Sequence, residues 1–431
     1  NHVNNICSTW GRDHFKTFDG DMYQFPGLCE YNLVSDCHEM YQEFSVHMKR
    51  TDVDGSPTVS YVVVTINDLS FHLNKSQVTV NDVLVNLPYI KAGVQVEKNA
   101  VYIKLQSKVG LIVLWNGDDA IMVELEHEYN NRTCGLCGDF NGVAIYNEFI
   151  HKVHRPNDDC EDPYEEEDEP LGAVQASCEK FQTICNQTLH SDLWSPCTEL
   201  LNPEPYIQAC VQDMCGCSNN TDNNCLCSTL SEFSRQCSHA GGQPPKWRTS
   251  DLCGNCPFNM VYEESSSPCM DTCTYQDTTS LCEDHKMDGC VCPPGTVFDD
   301  ISMRGCVNQS ECQCQHGKVY NPGEVYRQYA VECTCNGGRW TCKSLQVPAT
   351  CAVEEGSHIT TFDGKTYTFH GDCFYTLVRV EAKDNNNPAF KVLAKLVPCA
   401  NQEFDTCLKT LKILVNNDRN NVSIDCYYNP Q

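Results

Sequence analysis

The chain has 431 residues, 33 of them cysteine, and carries 58 acidic against 30 basic side chains for a net charge of −28. A charge so negative repels phosphate backbones and anionic lipid, which excludes nucleic acid and membrane surfaces as partners. No run of ~18 apolar residues exists to span a bilayer, the best stretch being Val109 to Trp115 with Gly110 inside it. The length has room for roughly three domains. No charged-then-apolar leader opens the chain, as expected of a mature or trimmed form.

Residues 10–150 read as strands. Tyr61–Ile66, Gln77–Val80, Val94–Val96, Val101–Leu105, Val109–Trp115 and Ala120–Leu125 are short, β-branched and split by Asn-Asp, Asn-Gly and Gly turns. That pattern is an all-β sandwich. In Ala120–Glu126 the alternation sends Ile121, Val123 and Leu125 to the core and leaves Met122 on the face of Glu124 and Glu126. A Pro- and acid-rich strap follows, with Glu165–Glu169 wholly acidic. It reads as a solvated linker or, less simply, as a cation-sensitive contact. Cys178–Cys185, Tyr206–Met214 and Leu230–Gln236 have helical spacing with cysteines on their inner faces. Pro257 to Cys312 has little periodicity and many cysteines, as a small stapled module would. Residues 313–350 hold short strand-like pieces punctuated by Pro and Gly.

The cysteines place the chain in an oxidising compartment. Six glycosylation sequons agree, at Asn74, Asn131, Asn186, Asn219, Asn308 and Asn421. Zinc is the alternative use, but Cys215/Cys217, Cys225/Cys227, Cys290/Cys292, Cys312/Cys314 and Cys333/Cys335 each enclose one residue, whereas zinc ribbons favour wider spacing. Residues 1–150 hold five cysteines and 178–351 hold 23. The first region must therefore bury an ordinary apolar core, while the second depends on staples worth ~2–4 kcal/mol each. The count is odd, so at least one thiol is free, bonded to another chain, or bonded to sequence not present here.

An internal repeat is visible at a constant offset of 344. Thr17-Phe-Asp-Gly20 with Tyr23, Phe25, Gly27, Cys29, Tyr31, Leu33 and Val34 recurs at Thr361-Phe-Asp-Gly364 with Tyr367, Phe369, Gly371, Cys373, Tyr375, Leu377 and Val378. With Cys134-Gly-Leu-Cys-Gly-Asp-Phe-Asn-Gly142, these segments resemble the von Willebrand factor type D assembly. Cys7-Ser-Thr-Trp10, Phe233–Gly242 and Ser357–Gly364 are similar to the N-terminal D1 region of a secreted gel-forming mucin of intestinal type. The resemblance implies a multi-domain, disulfide-rich chain. It would hold a β-sandwich D domain at 1–155, an acidic linker at 156–177, an eight-cysteine helical module at 178–255, a trypsin-inhibitor-like module at 256–312, a small cysteine-rich β module at 313–350 and a partial second D domain at 351–431. The chain departs from the family pattern in three places. The second D domain has no Cys-Gly-Leu-Cys segment of its own before Gln431. The stretch between Phe149 and Cys160 is short. Two cysteines are missing near Ala330 and Val347.

Asp139, Asn141, Asn147 and Glu148 place four oxygen side chains within ten residues, between glycines that permit a tight turn. Calcium needs about six to eight oxygens. The resemblance brings Asp19 to this loop, and the carbonyl of Phe140 is a further expected ligand. The alternative is an Asn-Gly turn with solvated acids. Asp363 repeats Asp19 but has no partner loop. Cys134-x-x-Cys137 reads as structural, with thiol exchange as the rival. A copper reading rests on His239, His285 and Met287, with His2 as a further imidazole: imidazole suits Cu(II), and thioethers from Met122 and Met287 suit Cu(I). Leu114, facing Met122 across a hairpin, supplies no ligand, so a third thioether would come from Met260 or Met303. The rival reading is packing.

No Ser/His/Asp signature, Gly-x-Ser-x-Gly, His-Glu-x-x-His or phosphate loop is present. The expected function is a non-catalytic assembly module of a secreted mucin, acting outside the cell after passage through secretory granules. Its expected partners are other D assemblies in a homo-oligomer, with no small-molecule substrate. Calcium- and pH-dependent packing follows from charge: at neutral pH the copies repel, and acid with calcium relaxes the repulsion. A copper carrier or a protease-inhibitor-like module are the alternatives.

Overall fold

The computed structural model describes residues 5–38, 41–144, 178–217, 223–249, 251–254, 256–278, 286–328, 330–381, 388–400, 405–415 and 421–425. The acidic strap lies outside these residues. The chain forms two compact units, Asn1–Pro322 with Asn336–Arg339 and Gly323–Cys335 with Trp340–Gln431.

The first unit opens on the expected sandwich of two antiparallel sheets. In spatial order, one sheet is Tyr89–Lys91, Val94–Lys98, Ile103–Ser107, Leu111–Trp115, Ile121–Leu125, Ile6–Trp10, His14–Lys16 and Met22–Gln24. The other is Thr133–Cys134, Glu30–Asp36, Phe44–Val53, Ser56–Ile66, Leu69–Asn74, Val78–Val80 and Val83–Val85. The two-residue alternation of β-branched and aromatic side chains gives each sheet one apolar face. Val46, Val62, Val64 and Phe71 from one sheet meet Val96, Leu105, Val113 and Val123 from the other in a shared core. Two disulfides, Cys7–Cys137 and Cys37–Cys134, tie the closing Cys-Gly-Leu-Cys segment to strands from both sheets.

Four helices follow: α1 (Glu179–Leu189), α2 (Ser195–Thr198), α3 (Glu204–Gly216) and α4 (Cys227–His239). Cys185–Cys210 joins α1 to α3, and Cys197–Cys237 joins α2 to α4. Their aromatic core of Phe181, Trp194, Tyr206 and Phe233 extends to Trp10 of the sandwich. The stapled module pairs Val261–Ser266 with Met287–Val291 and Thr296–Asp299 with Gly305–Asn308. Cys256–Cys290, Cys273–Cys312 and Cys292–Cys306 hold it together. All ten cysteines of the Cys-x-Cys pairs are disulfide-bonded, which settles disulfides over zinc.

Within the second unit, Phe374–Glu381, Pro388–Pro398, Thr406–Val415 and Asn421–Asp425 form a four-stranded antiparallel sheet. The repeat is reproduced in three dimensions. Phe25 meets Tyr31 edge-on at 4.8 Å, and Phe369 meets Tyr375 edge-on at 4.9 Å. The glycine between each pair is required by close approach: a Cβ on Gly27 would collide with the Tyr31 ring, and one on Gly371 with the Tyr375 ring.

Candidate functional site

The loop after Cys137 curls back onto the Thr17–Gly20 turn. Phe140 takes a left-handed backbone conformation, φ 60°, that reverses the chain there. Phe18 and Phe140 pack at 4.7 Å, and the Gly142 amide donates to Asp19 Oδ1 at 2.6 Å across 123 residues of sequence. Asp19 and Asp139 thereby become neighbours. Burial raises the pKa of Asp19 above the usual carboxylate value, the Asp139 charge adds to the rise, and amide donors at 142 and 141 oppose it. Asp19 Oδ2 is shut from solvent with no hydrogen-bond partner. Two adjacent carboxylates and an orphaned buried oxygen fit a cation.

The rest of the expected ligand set is less complete. Asn141 Nδ2 donates to Asp139 Oδ2 at 2.9 Å, and Asn141 Oδ1 accepts from the Val143 amide at 2.7 Å, so this side chain braces its own turn. The Phe140 carbonyl accepts from the Asn131 amide at 2.9 Å, which fixes its orientation and leaves its second lone pair open. Asn147 and Glu148 lie outside the described residues. Among the described residues no cluster of three His, Cys, Asp or Glu side chains converges as metal ligands.

Cys134 and Cys137 are not paired with each other, since each is bonded to a different distant cysteine. That arrangement is structural. Free thiols among the described residues are Cys351 and Cys373, the counterparts by offset of Cys7 and Cys29, both of which are bonded. Asn131, Asn186 and Asn308 are exposed and Asn74 is half-buried. Asn421 begins the last strand of the second unit, and Asn219 lies outside the described residues.

A second constellation was not visible in the sequence. Every residue of α4 from Thr229 to His239 is buried, because α4 is clasped between the sandwich and the stapled module. Its polar side chains are therefore largely matched, with Gln236 Oε1 the exception, buried and without a hydrogen-bond partner. Arg235 donates to Glu232 at 2.9 and 3.0 Å and to the Tyr102 hydroxyl at 3.2 Å. Tyr102 in turn donates to Asp288 at 2.9 Å, and Tyr262 donates to the same carboxylate. Gln236 reaches Glu232 at 2.9 Å and Ser8 at 3.3 Å. Ser234 and Arg248 both donate to Glu264 at 2.7 Å, with the Arg248 guanidinium between the rings of Trp247 and Tyr262. On the other side Trp10 donates to Thr229 at 3.1 Å, Thr229 donates to Asp213 at 2.6 Å, and His14 lies 2.5 Å from the same carboxylate. Burial pushes the Tyr102 and Tyr262 hydroxyls well above their ordinary pKa, so both stay neutral donors. Lys16 is enclosed beside this hub. Burial lowers its pKa to about 8 against the attraction of Glu232 and Asp19, and its ammonium donates to the Ile6 carbonyl at 3.2 Å.

Where the three modules meet lies a small cavity lined by Leu114, Met122, His239 and Met287 beside Tyr102, Glu232, Arg235 and Asp288. Leu114 does face Met122 across a hairpin. Met122 and Met287, 4% and 5% exposed, share one apolar cluster with Ile6 and Tyr102. Met122 thus leaves the sandwich core as the alternation required, and is covered by the stapled module instead of solvent. Two thioethers and an imidazole at one cavity fit a soft monovalent ion. Met260 and Met303 are not among its lining residues, which removes both as the third thioether. His2 and His285 lie outside the described residues.

The profile of the von Willebrand factor type D domain matches residues 7–152 and again 351–427. The chain belongs to the von Willebrand factor type D family. Between its two D segments, residues 184–254 match the C8 domain and 256–312 the trypsin-inhibitor-like cysteine-rich domain. The D assembly is similar to Mucin-2 of Homo sapiens, at 47% identity over 97% of the chain and 8% of that protein. It is similar also to Mucin-2 of Mus musculus, 46% identical over 97% of the chain and 9% of the relative, and to Mucin-5AC of Homo sapiens, 42% identical over 96% and 7%. The chain spans less than a tenth of the length of these relatives.

Proposed function

We propose that this D assembly is a non-catalytic packing and polymerisation module of a secreted gel-forming mucin, working in the secretory pathway and then in extracellular mucus. The observation that carries the reading is the clasped α4. A joint of D domain, C8 and trypsin-inhibitor-like modules, each stapled by its own disulfides and held together through the polar partners of α4, is what a load-bearing spacer needs and what a catalytic cleft does not. Similarity to mucins over nearly the whole chain supports it. The paired Asp19 and Asp139 are the proposed calcium-sensitive element, with Asn141, Asn147 and Glu148 as further ligands. Its cation would relieve the repulsion between those two carboxylates and pin the closing loop to the Thr17–Gly20 turn. The net charge of −28 keeps copies apart at neutral pH, and acid plus calcium lets them associate as homo-oligomers. Light scattering of the purified chain between pH ~7 and ~5.5, with and without calcium, tests this. Growth in particle size only in acid with calcium is expected, and an unchanged size sinks it.

A second reading is carried by the cavity. Met122, Met287 and His239 are three soft or borderline donors brought to one place from three modules, which supports Cu(I) binding there. His239 with His285 and His2 remains the proposed Cu(II) set. An anaerobic Cu(I) titration of the M122L/M287L double variant tests the thioether site, and unchanged affinity would end it.

A further inference from the structure

We propose that the second unit pairs with a second copy of this chain through the open face of its four-stranded sheet, so that two molecules complete one sandwich. The strands alternate as those of a sheet covered on one side should. Arg379, Lys391, Lys395 and Lys412 stand on one face, with Lys395 and Lys412 over the Phe374 ring. The other face is apolar from strand to strand: Val378, Val392, Ile413 and Val422 lie in one cross-strand row. The first sandwich holds the same row, with the same pairing, as Val34, Val46, Val64 and Phe71. The two faces differ in what covers them. Phe44, Ile66, Phe71 and Leu73 are 1%, 3%, 0% and 0% exposed, because the second sheet of the sandwich packs on them, and Tyr89 of that sheet meets Phe71 edge-on at 5.9 Å. Their counterparts by register, Phe390, Val415, Val422 and Ile424, are 38%, 47%, 55% and 49% exposed. Large apolar side chains bared side by side on one sheet mark a protein contact.

Charge selects a second copy as the occupant. The chain carries −28, which opposes the approach of copies. The second unit holds 12 acidic and 10 basic side chains, only −2 of that total, and the apolar rows bear no charge at all. Two copies therefore meet through this unit without the repulsion that keeps the rest of them apart. In the first sandwich this face accepts a sheet of alternating apolar strands, and a second copy presents one. Two such faces related by a twofold axis are self-complementary. The contact needs neither acid nor calcium, which separates it from the acid- and calcium-driven packing of whole assemblies.

The test is the mass of the full chain, by light scattering on a sizing column at neutral pH in chelator, over a range of concentrations. Free thiols are alkylated so that no disulfide joins copies. A dimer that dissociates on dilution is expected, and a monomer at every concentration overturns the proposal. The double substitution V422K/I424K places two lysines in each half of the contact and should weaken the dimer by roughly a hundredfold or more. Ser423→Lys, on the opposite face of the same strand, should leave it unchanged. Equal weakening by both charge changes overturns the proposal, as does a dimer that V422K/I424K leaves intact. If the double variant does not fold, amide exchange of Asn421–Asp425 in the parent decides. Slower exchange at high concentration is expected. Exchange that is the same at low and high concentration, as when the face is covered from within its own molecule, overturns the contact. The packing of whole assemblies stands or falls separately. A dimer in chelator with no growth in acid plus calcium removes the packing and keeps this contact, and a particle that grows only in acid with calcium does the reverse.

Discussion

Replacing Lys16 with methionine isolates the contribution of one buried charge. The lysine is enclosed beside α4, and its pKa falls from 10.5 to about 8. Each decade of proton affinity is worth ~1.4 kcal/mol, so the cost of keeping this ammonium in the folded chain is about 3 kcal/mol. The sign follows from proton counting. Below pH 8 the group is protonated both folded and unfolded, and the cost is present in full. Between pH 8 and 10.5 the unfolded chain holds the proton more firmly than the folded one, so stability climbs with pH. Above 10.5 the cost is gone. In K16M this climb is absent. At pH 7 the variant gains about 3 kcal/mol less about 1 kcal/mol for the lost bond to the Ile6 carbonyl, a net stabilisation of about 2 kcal/mol. Urea unfolding of parent and variant from pH 7 to 10, with chelator present and free thiols alkylated, measures both quantities. Parallel stability profiles over that range would refute the reasoning, because the lysine would then titrate as it does in water.

Asp19→Asn should abolish the calcium-dependent stabilisation, read as a rise in melting temperature, which at a hundred times the dissociation constant is expected to be ~2.7 kcal/mol in the parent. In chelator the same variant should be as stable as the parent or more so at pH 7. The Asp19 carboxyl is held above its ordinary value, so its anion costs stability as pH rises through that range and acid restores it. A parent that shows no calcium effect on melting removes the site. Tyr102→Phe strips the hydroxyl that joins Arg235 to Asp288 and should cost about 1–3 kcal/mol. Faster hydrogen exchange along 229–239 is the accompanying readout, and unchanged exchange counts against the hub. Alkylation under denaturing, non-reducing conditions should label Cys351 and Cys373 and spare Cys134 and Cys137, as mass spectrometry of peptides will show. Label on either of the latter contradicts the pairing.

The strand-rich N-terminal third was legible because two-residue alternation is a strong signal. Ile121, Val123 and Leu125 went inward and Met122 outward as read. His14–Lys16 and Met22–Gln24 were not, since three-residue strands with polar members carry no periodicity. The acidic turn was half legible. Asp19 and Asp139 do meet, but only three-dimensional structure shows Asn141 folded back on its own loop. The hub was invisible for a physical reason. Glu232, Arg235, Gln236 and His239 look like the solvated face of an amphipathic helix, and nothing local says that a second module covers that face. The three-residue spacing of Glu232 and Arg235 was the only trace, and such spacing is common on exposed helices too.

A helix buried on all sides by groups with fixed hydrogen-bond partners changes what recombination can do with this architecture. Apolar contacts tolerate swapped neighbours of similar volume, whereas a Tyr hydroxyl or an Asp carboxylate left without its counterpart is penalised at once. Grafting the C8 segment from a distant relative into this chain should therefore succeed only if it brings its own counterparts of Glu232, Ser234 and Arg235 to meet Tyr102 and Glu264. The three segments form a single unit of inheritance although they are separate stretches of sequence.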